Sequence, residues 1–201
     1  MASQKTKQIN AENKILRNFF ISIFVFILFI LAAYLFIDNL RHFEYEGVEF
    51  QTVSFCDAEP CLVLYKTTFP VITGEGRTAD MYLRNDPREL KDIEFNGSMN
   101  LFGEFILDST NDFNCEGDGV IAIANMVQFY ELFGVNIFKN DSISCDETSE
   151  HTYVRITEGN ETRVQQTGLS CYDIEIKNCE ILEGTERFLL ESFVKVNKLF
   201  F

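Results

Sequence analysis

An apolar run without a single charge is the strongest pattern in this chain. It extends from residue 19 to residue 37, and Ser22 is its only hydrophilic side chain. At the rise of an α-helix, a run of this length spans about 28 Å, close to the roughly 30 Å hydrocarbon core of a bilayer. The pattern therefore predicts a transmembrane helix at 19–37.

The residues before this run indicate its orientation. The first 18 residues hold one acid, Glu12, and four basic side chains: Lys5, Lys7, Lys14 and Arg17. Because basic flanks stay in the cytoplasm, we expect a cytoplasmic tail at 1–18 and an extracytoplasmic C-terminal part. A cleaved signal peptide is the alternative. Its apolar region is normally shorter, about 7–15 residues, and Ala32-Ala33-Tyr34 matches its cleavage site poorly, so an uncleaved signal anchor is preferred.

Beyond a short polar stalk at 38–47, the pattern changes to short segments rich in β-branched and aromatic residues. Such segments, separated by turn residues, predict strands. Two of them flank Glu158-Gly159-Asn160-Glu161 and predict a hairpin. The predicted strands are 48–56, 61–68, 79–83, 93–95, 101–107, 135–138, 153–157, 162–165 and 172–176.

Two segments follow the helical period instead. The first, 118–133, begins at Asp118, a good N-cap, and stops before Gly134, a natural C′ residue. Its apolar residues cover most of its circumference, which predicts a central buried helix packed against a sheet. The second, 180–196, is an amphipathic C-terminal helix. Strands around a central helix predict an α+β fold, mostly antiparallel, in one ectodomain at 48–201.

All cysteines lie beyond the apolar run: Cys56, Cys61, Cys115, Cys145, Cys171 and Cys179. An even number outside the membrane predicts disulfides in an oxidising compartment. Cys56 and Cys61 flank a turn-like loop and are expected to pair with each other. The segment from Cys171 to Cys179 alternates as a strand and extends over about 25 Å, so these two cannot bridge each other. They are expected to pair with the remaining two cysteines, in an order that the sequence leaves open.

The part beyond the tail is strongly acidic. The chain has 17 basic and 31 acidic residues, and the tail's four basic and one acidic leave 13 and 30, a net charge near −17. This charge argues against nucleic acid or anionic lipid as the main partner. It permits a cationic partner or bound cations, although a soluble, self-repelling surface is the preferred explanation. Three glycosylation sequons lie in this part: Asn96-Gly97-Ser98, Asn140-Asp141-Ser142 and Asn160-Glu161-Thr162.

The turn before the central helix matches the first half of an EF-hand calcium loop. Its four candidate ligands are Asp112, Asn114, Glu116 and Asp118. Position 12 of such a loop needs a glutamate, and Ile123 stands there instead. A tight glycine turn into the helix is therefore the preferred role, with a calcium site as the alternative.

A second cluster, Arg84-Asn85-Asp86-Pro87-Arg88, forms a charged turn. Its candidate ligand-binding residues are Arg84, Asp86 and Arg88, because two arginines beside an aspartate could clamp a carboxylate or a sugar acid. Pairing with neighbouring acids is the preferred explanation. Neither His42 nor His151 has a nucleophile context such as GxSxG, so the sequence indicates no catalytic residue.

Two segments also carry a resemblance to other proteins. YLRNDPREL at 82–90 and CEGDGVIAIANMVQFYELFG at 115–134 resemble segments of uncharacterised archaeal single-pass membrane proteins with a cysteine-containing ectodomain. The resemblance implies a small anchored exterior domain. It brings no known activity and assigns no functional residue.

These patterns predict a single-pass membrane protein whose ectodomain is a non-enzymatic binding or assembly module, with another envelope or membrane protein as partner. An anchored enzyme acting on cell-envelope material is the alternative, with the 84–88 cluster or the 112–118 turn lining its site. A cation-binding ectodomain that uses the same turn is a third hypothesis. No cofactor is expected, with calcium as the alternative. An exposed apolar patch would favour the binding module, whereas a pocket with converging polar groups would favour the enzyme.

Overall fold

The computed structural model describes residues 2–56, 59–71, 76–100, 104–109, 113–139, 145 and 151–200. The chain divides into two compact units, 1–42 and 43–201. Unit 1 is built on helix α1 (Ala2–Arg41). Within α1, the stretch Arg17–Ile37 is long and apolar enough to cross a membrane, and none of its described side chains is buried. The predicted apolar helix is therefore present, and it continues beyond the predicted bounds at both ends.

Unit 2 contains two β-sheets, of which sheet A is the smaller. Its strands, in spatial order, are β1 (His42–Tyr45), β2 (Val48–Phe55), β3 (Leu62–Pro70) and β4 (Thr78–Leu83). The β2–β3 and β3–β4 pairs are antiparallel. Glu46 and Gly47 both have positive φ and join β1 to β2 in a two-residue turn, the type that favours an antiparallel hairpin. Part of the predicted stalk at 38–47 thus forms an edge strand.

Sheet B has six strands in the spatial order β5-β9-β10-β8-β6-β7. They are β5 (Glu94–Asn96), β6 (Glu104–Ser109), β7 (Asn136–Lys139), β8 (Thr152–Glu158), β9 (Arg163–Gly168) and β10 (Cys171–Ile176). The β9–β10 pair is antiparallel and the other four pairs are parallel. The expectation of a mostly antiparallel fold is therefore correct for sheet A and wrong for sheet B.

The predicted hairpin between β8 and β9 is also not formed. The two strands follow each other along the chain, but β10 lies between them, parallel to β8 and antiparallel to β9. Their connection, 159–162, passes the carboxyl end of β10, where the N–H of Gly159 donates to the carbonyl of Ile176 at 2.9 Å. A hairpin signal reflects local turn chemistry alone, so it does not detect a strand inserted from later in the chain.

Among the described residues, three α-helices complete unit 2: α2 (Pro87–Leu90), α3 (Asp118–Leu132) and α4 (Ile181–Phe200). Helix α4 contacts both sheets, because Phe193 packs on Phe69 of sheet A and Phe188 packs on Tyr172 of sheet B. Helix α3 joins this core through Phe129, whose ring centroid lies 4.7 Å from that of Phe193. The two sheets and two long helices share one hydrophobic cluster, and burial of these aromatic side chains is a major stabilising contribution.

Helix α3 differs in detail from its prediction. It ends before Gly134, whose φ of +70° is the expected left-handed stop. Its N-cap is Gly117 rather than Asp118, which is the first helical residue. The helix is buried on one side instead of all round, since Val120 is 68 % exposed. Its buried residues are Gly119, Ala122, Met126, Phe129 and Tyr130.

All six cysteines form disulfides, which are Cys56–Cys61, Cys115–Cys179 and Cys145–Cys171. The expected bridge between Cys56 and Cys61 is present. Cys171 and Cys179 do not pair with each other, as their extended spacing indicates. The structure also resolves which partner each of them has, Cys145 for Cys171 and Cys115 for Cys179. Two of the three bridges therefore join segments that are distant along the chain.

Candidate functional site

A cleft lies at the carboxyl ends of the parallel strands β8 and β10, where α3 and α4 begin. Its volume is about 430 Å³. Its polar and sulfur-containing lining residues are Asn114, Cys115, Glu158, Asn178 and Cys179. Open sheets with parallel strands commonly hold ligands at this place, and clefts of this size suit small molecules. Residues 113–115, part of the turn predicted as a candidate site, thus line a cleft.

The cleft is bordered by two turns with an unusual backbone. Cys115 and Cys179 have φ values of +43° and +65°, and their neighbours Glu116 and Asn178 have +59° and +48°. Residues other than glycine adopt this left-handed conformation at a cost of the order of 1 kcal/mol each. The Cys115–Cys179 bridge joins the two turns with 5.5 Å between its Cα atoms. Of these four residues only Asn178 is of a type that favours this backbone, so the residue types at the other three positions offer no sign of it.

The predicted calcium ligands are only partly placed. Asp112 lies outside the described residues. The backbone carbonyl of Asn114 accepts from the N–H of Gly117 at 2.7 Å, and the Asp118 carboxylate accepts from Nη1 of Arg84 at 3.2 Å. Within the described part of the chain, no group of three His, Cys, Asp or Glu side chains is arranged to hold a metal ion. The calcium site stays a prediction.

The charged turn at 84–88 is held by its own ion pairs. Asp86 caps α2 by accepting from the backbone N–H of Arg88 at 2.9 Å, and it pairs with the Arg88 guanidinium at 2.5 Å. Burial raises the pKa of Asp86, but hydrogen bonds from Arg88 and Tyr65 outweigh this effect, so the pKa is lowered. Arg84 turns towards Asp118 of α3 instead. The three candidate residues therefore do not converge on one ligand position.

A buried acid that the motifs do not single out lies beneath this turn. Glu186 of α4 is fully buried, and its carboxylate accepts from the N–H of Arg84 at 2.7 Å and the N–H of Asn85 at 2.9 Å. The side-chain amide of Asn85 donates a third bond at 3.0 Å. Burial raises the pKa of Glu186 to about 7, although these hydrogen bonds act in the opposite direction. The helical period places it on the apolar side, three residues before Leu189, so its burial was readable from the sequence.

The far end of the β2–β3 pair forms a two-stranded ribbon with an apolar side. In the antiparallel register Val53 lies opposite Leu64, and Phe55 lies opposite Leu62. Residues two apart on a strand share a face, so these four side chains lie together, and we call them the apolar ribbon face. Phe55 is 48 % exposed and Leu62 is 45 % exposed. The Cys56–Cys61 disulfide closes the ribbon beyond them.

This face points away from the core. Val48 and Phe50 of β2 are buried, and the alternation along the strand places Val53 and Phe55 on the opposite side of sheet A. Seven large apolar side chains beyond α1 are exposed among the described residues, and three of them adjoin on this ribbon. They are Phe55, Leu62 and, on the other side of the ribbon, Val63. The remaining four belong to separate elements, so the ribbon is the place where exposed apolar surface is concentrated.

The predicted sequons lie in different parts of the chain. Asn96, at the end of β5, and Asn160, in the connection from β8 to β9, are both exposed. The side-chain amide of Asn96 donates to Glu94 at 2.9 Å. Asn140 lies outside the described residues. Exposure makes modification at Asn96 and Asn160 sterically possible, and glycosylation itself stays a prediction.

Comparisons with protein-family models, with curated proteins and with solved structures find no match for this chain. The resemblance of 82–90 and 115–134 to archaeal membrane proteins therefore stays a prediction.

Proposed function

We propose that this chain is a membrane-anchored binding or assembly module, non-enzymatic, with unit 2 outside the cytoplasm and another envelope or membrane protein as its partner. The apolar stretch Arg17–Ile37 supports the anchor, and the four basic residues before it support a cytoplasmic N-terminus. All six cysteines lie beyond α1 and are bridged, which is typical of an oxidising compartment.

The apolar ribbon face is the observation that carries the binding role. Water-exposed Phe55 and Leu62 are opposite each other at the end of a ribbon that adds nothing to the buried cluster beneath sheet A. An apolar patch that a fold does not need internally marks a surface that another molecule covers. Arg84, Asp86 and Arg88, by contrast, are engaged with carboxylates of the same chain or with each other.

Mild crosslinking of the tagged full-length protein in its native membrane, followed by mass spectrometry, tests this function. We expect one partner protein in stoichiometric amount. A protein that is recovered alone from the membrane contradicts the assembly role.

Protease treatment of intact cells tests the topology separately. We expect digestion of the part beyond residue 42 and protection of an N-terminal tag. A mature protein whose mass lacks the apolar stretch would show that α1 is a cleaved signal sequence instead of an anchor.

The cleft favours a second candidate, an anchored enzyme or receptor for small envelope components. Asn114, Asn178 and Glu158 offer amide and carboxylate groups beside the Cys115–Cys179 bridge. Thermal shift measurements of full-length protein in detergent with soluble fragments of envelope polysaccharide test it. Stabilisation that Asn178→Ala removes would favour this candidate, and no shift with any fragment would count against it.

A further inference from the structure

The solvent side of sheet A changes from polar to apolar along its strands. At the β4 side it is polar, since Lys66 pairs with Asp80 at 2.9 Å and Thr68 donates to Asp80 at 2.7 Å. Towards the Cys56–Cys61 bridge, the same side consists of the apolar ribbon face. Strand β4 pairs with β3 only from Tyr65 onwards, so among the described strands the edge of β3 at 62–64 has no neighbour besides β2. The ribbon thus offers apolar side chains together with free backbone groups.

The surroundings of the ribbon are acidic. Residues 42–70 hold five acids and a single Lys or Arg, which is Lys66. That lysine is already paired with Asp80. Glu44, Glu49 and Glu59 are exposed. Glu46 is paired with Lys198 of α4 at 3.3 Å, so the negative charge that a molecule covering the apolar ribbon face meets comes from the other acids of this stretch.

This negative charge favours some of the molecules that could cover the apolar ribbon face over others. A second copy of the chain would bring the same acidic rim against itself, which disfavours self-association through this face. An anionic membrane surface is repelled for the same reason, and insertion of the ribbon tip into a bilayer would first bury the Glu59 carboxylate. A protein surface with an apolar centre and a basic rim complements both features.

We propose that the apolar ribbon face docks into an apolar groove, rimmed by lysine or arginine, on another protein of the membrane or envelope. The inference rests on the proposed function and names the surface and the chemistry of its partner. Phe55 and Leu62 are the anchors that enter the groove. Glu49 and Glu59 contact its basic rim, and the free edge of β3 can add a strand to the partner.

Site-specific photo-crosslinking of the full-length protein in its native membrane tests the surface. The photoreactive p-benzoylphenylalanine is placed at position 55 or position 62. Matched controls carry it at position 68, on the polar part of the same sheet side, and at position 120, an exposed apolar site on α3. We expect positions 55 and 62 to join the same protein through peptides that contain apolar residues and Lys or Arg, and positions 68 and 120 to remain unlinked to it.

Two serine substitutions test the energetics. Phe55→Ser together with Leu62→Ser should weaken retention of that partner by about 10-fold or more, whereas Val120→Ser leaves it unchanged. Salt at roughly 0.5 M should also weaken retention, because it screens the acidic rim. The inference is overturned by adducts with lipid, by adducts with a second copy, or by full retention in the double variant. None of these three outcomes contradicts the assembly role. Only the absence of any partner protein contradicts that role.

Discussion

At the scale of single residues, Glu186 shows how burial makes an acid sensitive to pH. Its pKa rises from 4.5 to about 7 in the folded protein because burial disfavours the charged form. The folded state therefore binds a proton that the unfolded state has already released between these two values. Stability from this group is fully present below pH 4.5 and is lost as the pH rises towards 7.

We expect Glu186→Gln to abolish this dependence, since glutamine does not ionise. The quantity to follow is the unfolding free energy of the native protein minus that of the variant. This difference should fall by about 3 kcal/mol between pH 4.5 and 7 and stay level above pH 7. Urea unfolding of full-length protein in detergent at several pH values measures the difference. Val120→Ala on the exposed side of α3 is the control, because it removes no ionisable group and should show a level difference. A level difference for Glu186→Gln as well would contradict the raised pKa.

Among single residues, exposure and pairing were only partly predictable from the sequence. The arginines of the 84–88 turn pair with acids, which the many acidic residues of this chain favour. Which acid each arginine pairs with depends on the fold. Asp118 accepts a hydrogen bond from Arg84, which is 34 residues earlier in the chain, because α3 packs beside the end of β4. The left-handed backbone at Cys115 and Cys179 has no signature in residue type, since cysteine does not favour it.

At the scale of elements, the start of α3 depends on one glycine. A Cβ atom at Gly119 would lie 1.7 Å from the backbone carbonyl oxygen of Phe113, which cannot move without rearranging the turn. A Cβ at Gly184 of α4 would instead meet the side-chain ends of Ile176 at 2.6 Å and Ile174 at 3.0 Å. Flexible side chains give way more readily than backbone.

We therefore expect Gly119→Ala to destabilise the protein by about 2 kcal/mol or more, although alanine is better than glycine in an ordinary helix by about 1 kcal/mol. Gly184→Ala should cost less, because the helical preference offsets part of the crowding. Chemical unfolding of both variants in detergent compares them. Equal stability of the two variants would show that the turn before α3 is free to shift.

Elements with a strong local signal were predictable, and pairings between distant elements were not. The helices α3 and α4 and strand β4 occur within a few residues of the predicted bounds, and α1 contains the predicted apolar run but extends well beyond it towards Ala2. Alternation along a strand is the same in parallel and antiparallel sheets, so the parallel pairing in sheet B was hidden. The apolar ribbon face was visible as residue types at 53 and 55, but its extent depends on the register that sets Phe55 opposite Leu62.

At the scale of the whole molecule, the three disulfides contribute unequally. Cys115 and Cys179 are 64 residues apart, so their bridge restricts the unfolded chain far more than that of Cys56 and Cys61, which are five apart. The chain-entropy relation assigns about 4 kcal/mol to the long loop and about 2 kcal/mol to the short one.

Removal of each bridge by paired serine substitutions checks this order. We expect Cys115→Ser with Cys179→Ser to lower the unfolding free energy about twice as much as Cys56→Ser with Cys61→Ser. Thermal and urea unfolding without reductant give the comparison. A larger loss from the short bridge would mean that the ribbon tip supports the core after all.

The position of α4 has a consequence for how the protein is made. This helix contacts both sheets and follows every one of their strands along the chain, while β10 separates two strands that are synthesised before it. Neither sheet can cover its inner face until these last segments are available. Unit 2 therefore cannot complete its core, and its early cysteines must avoid wrong partners, until α4 has been synthesised. Under the topology proposed above, such a chain depends on holding factors at the membrane until then, and termination within α4 would leave two open sheets for quality control to recognise.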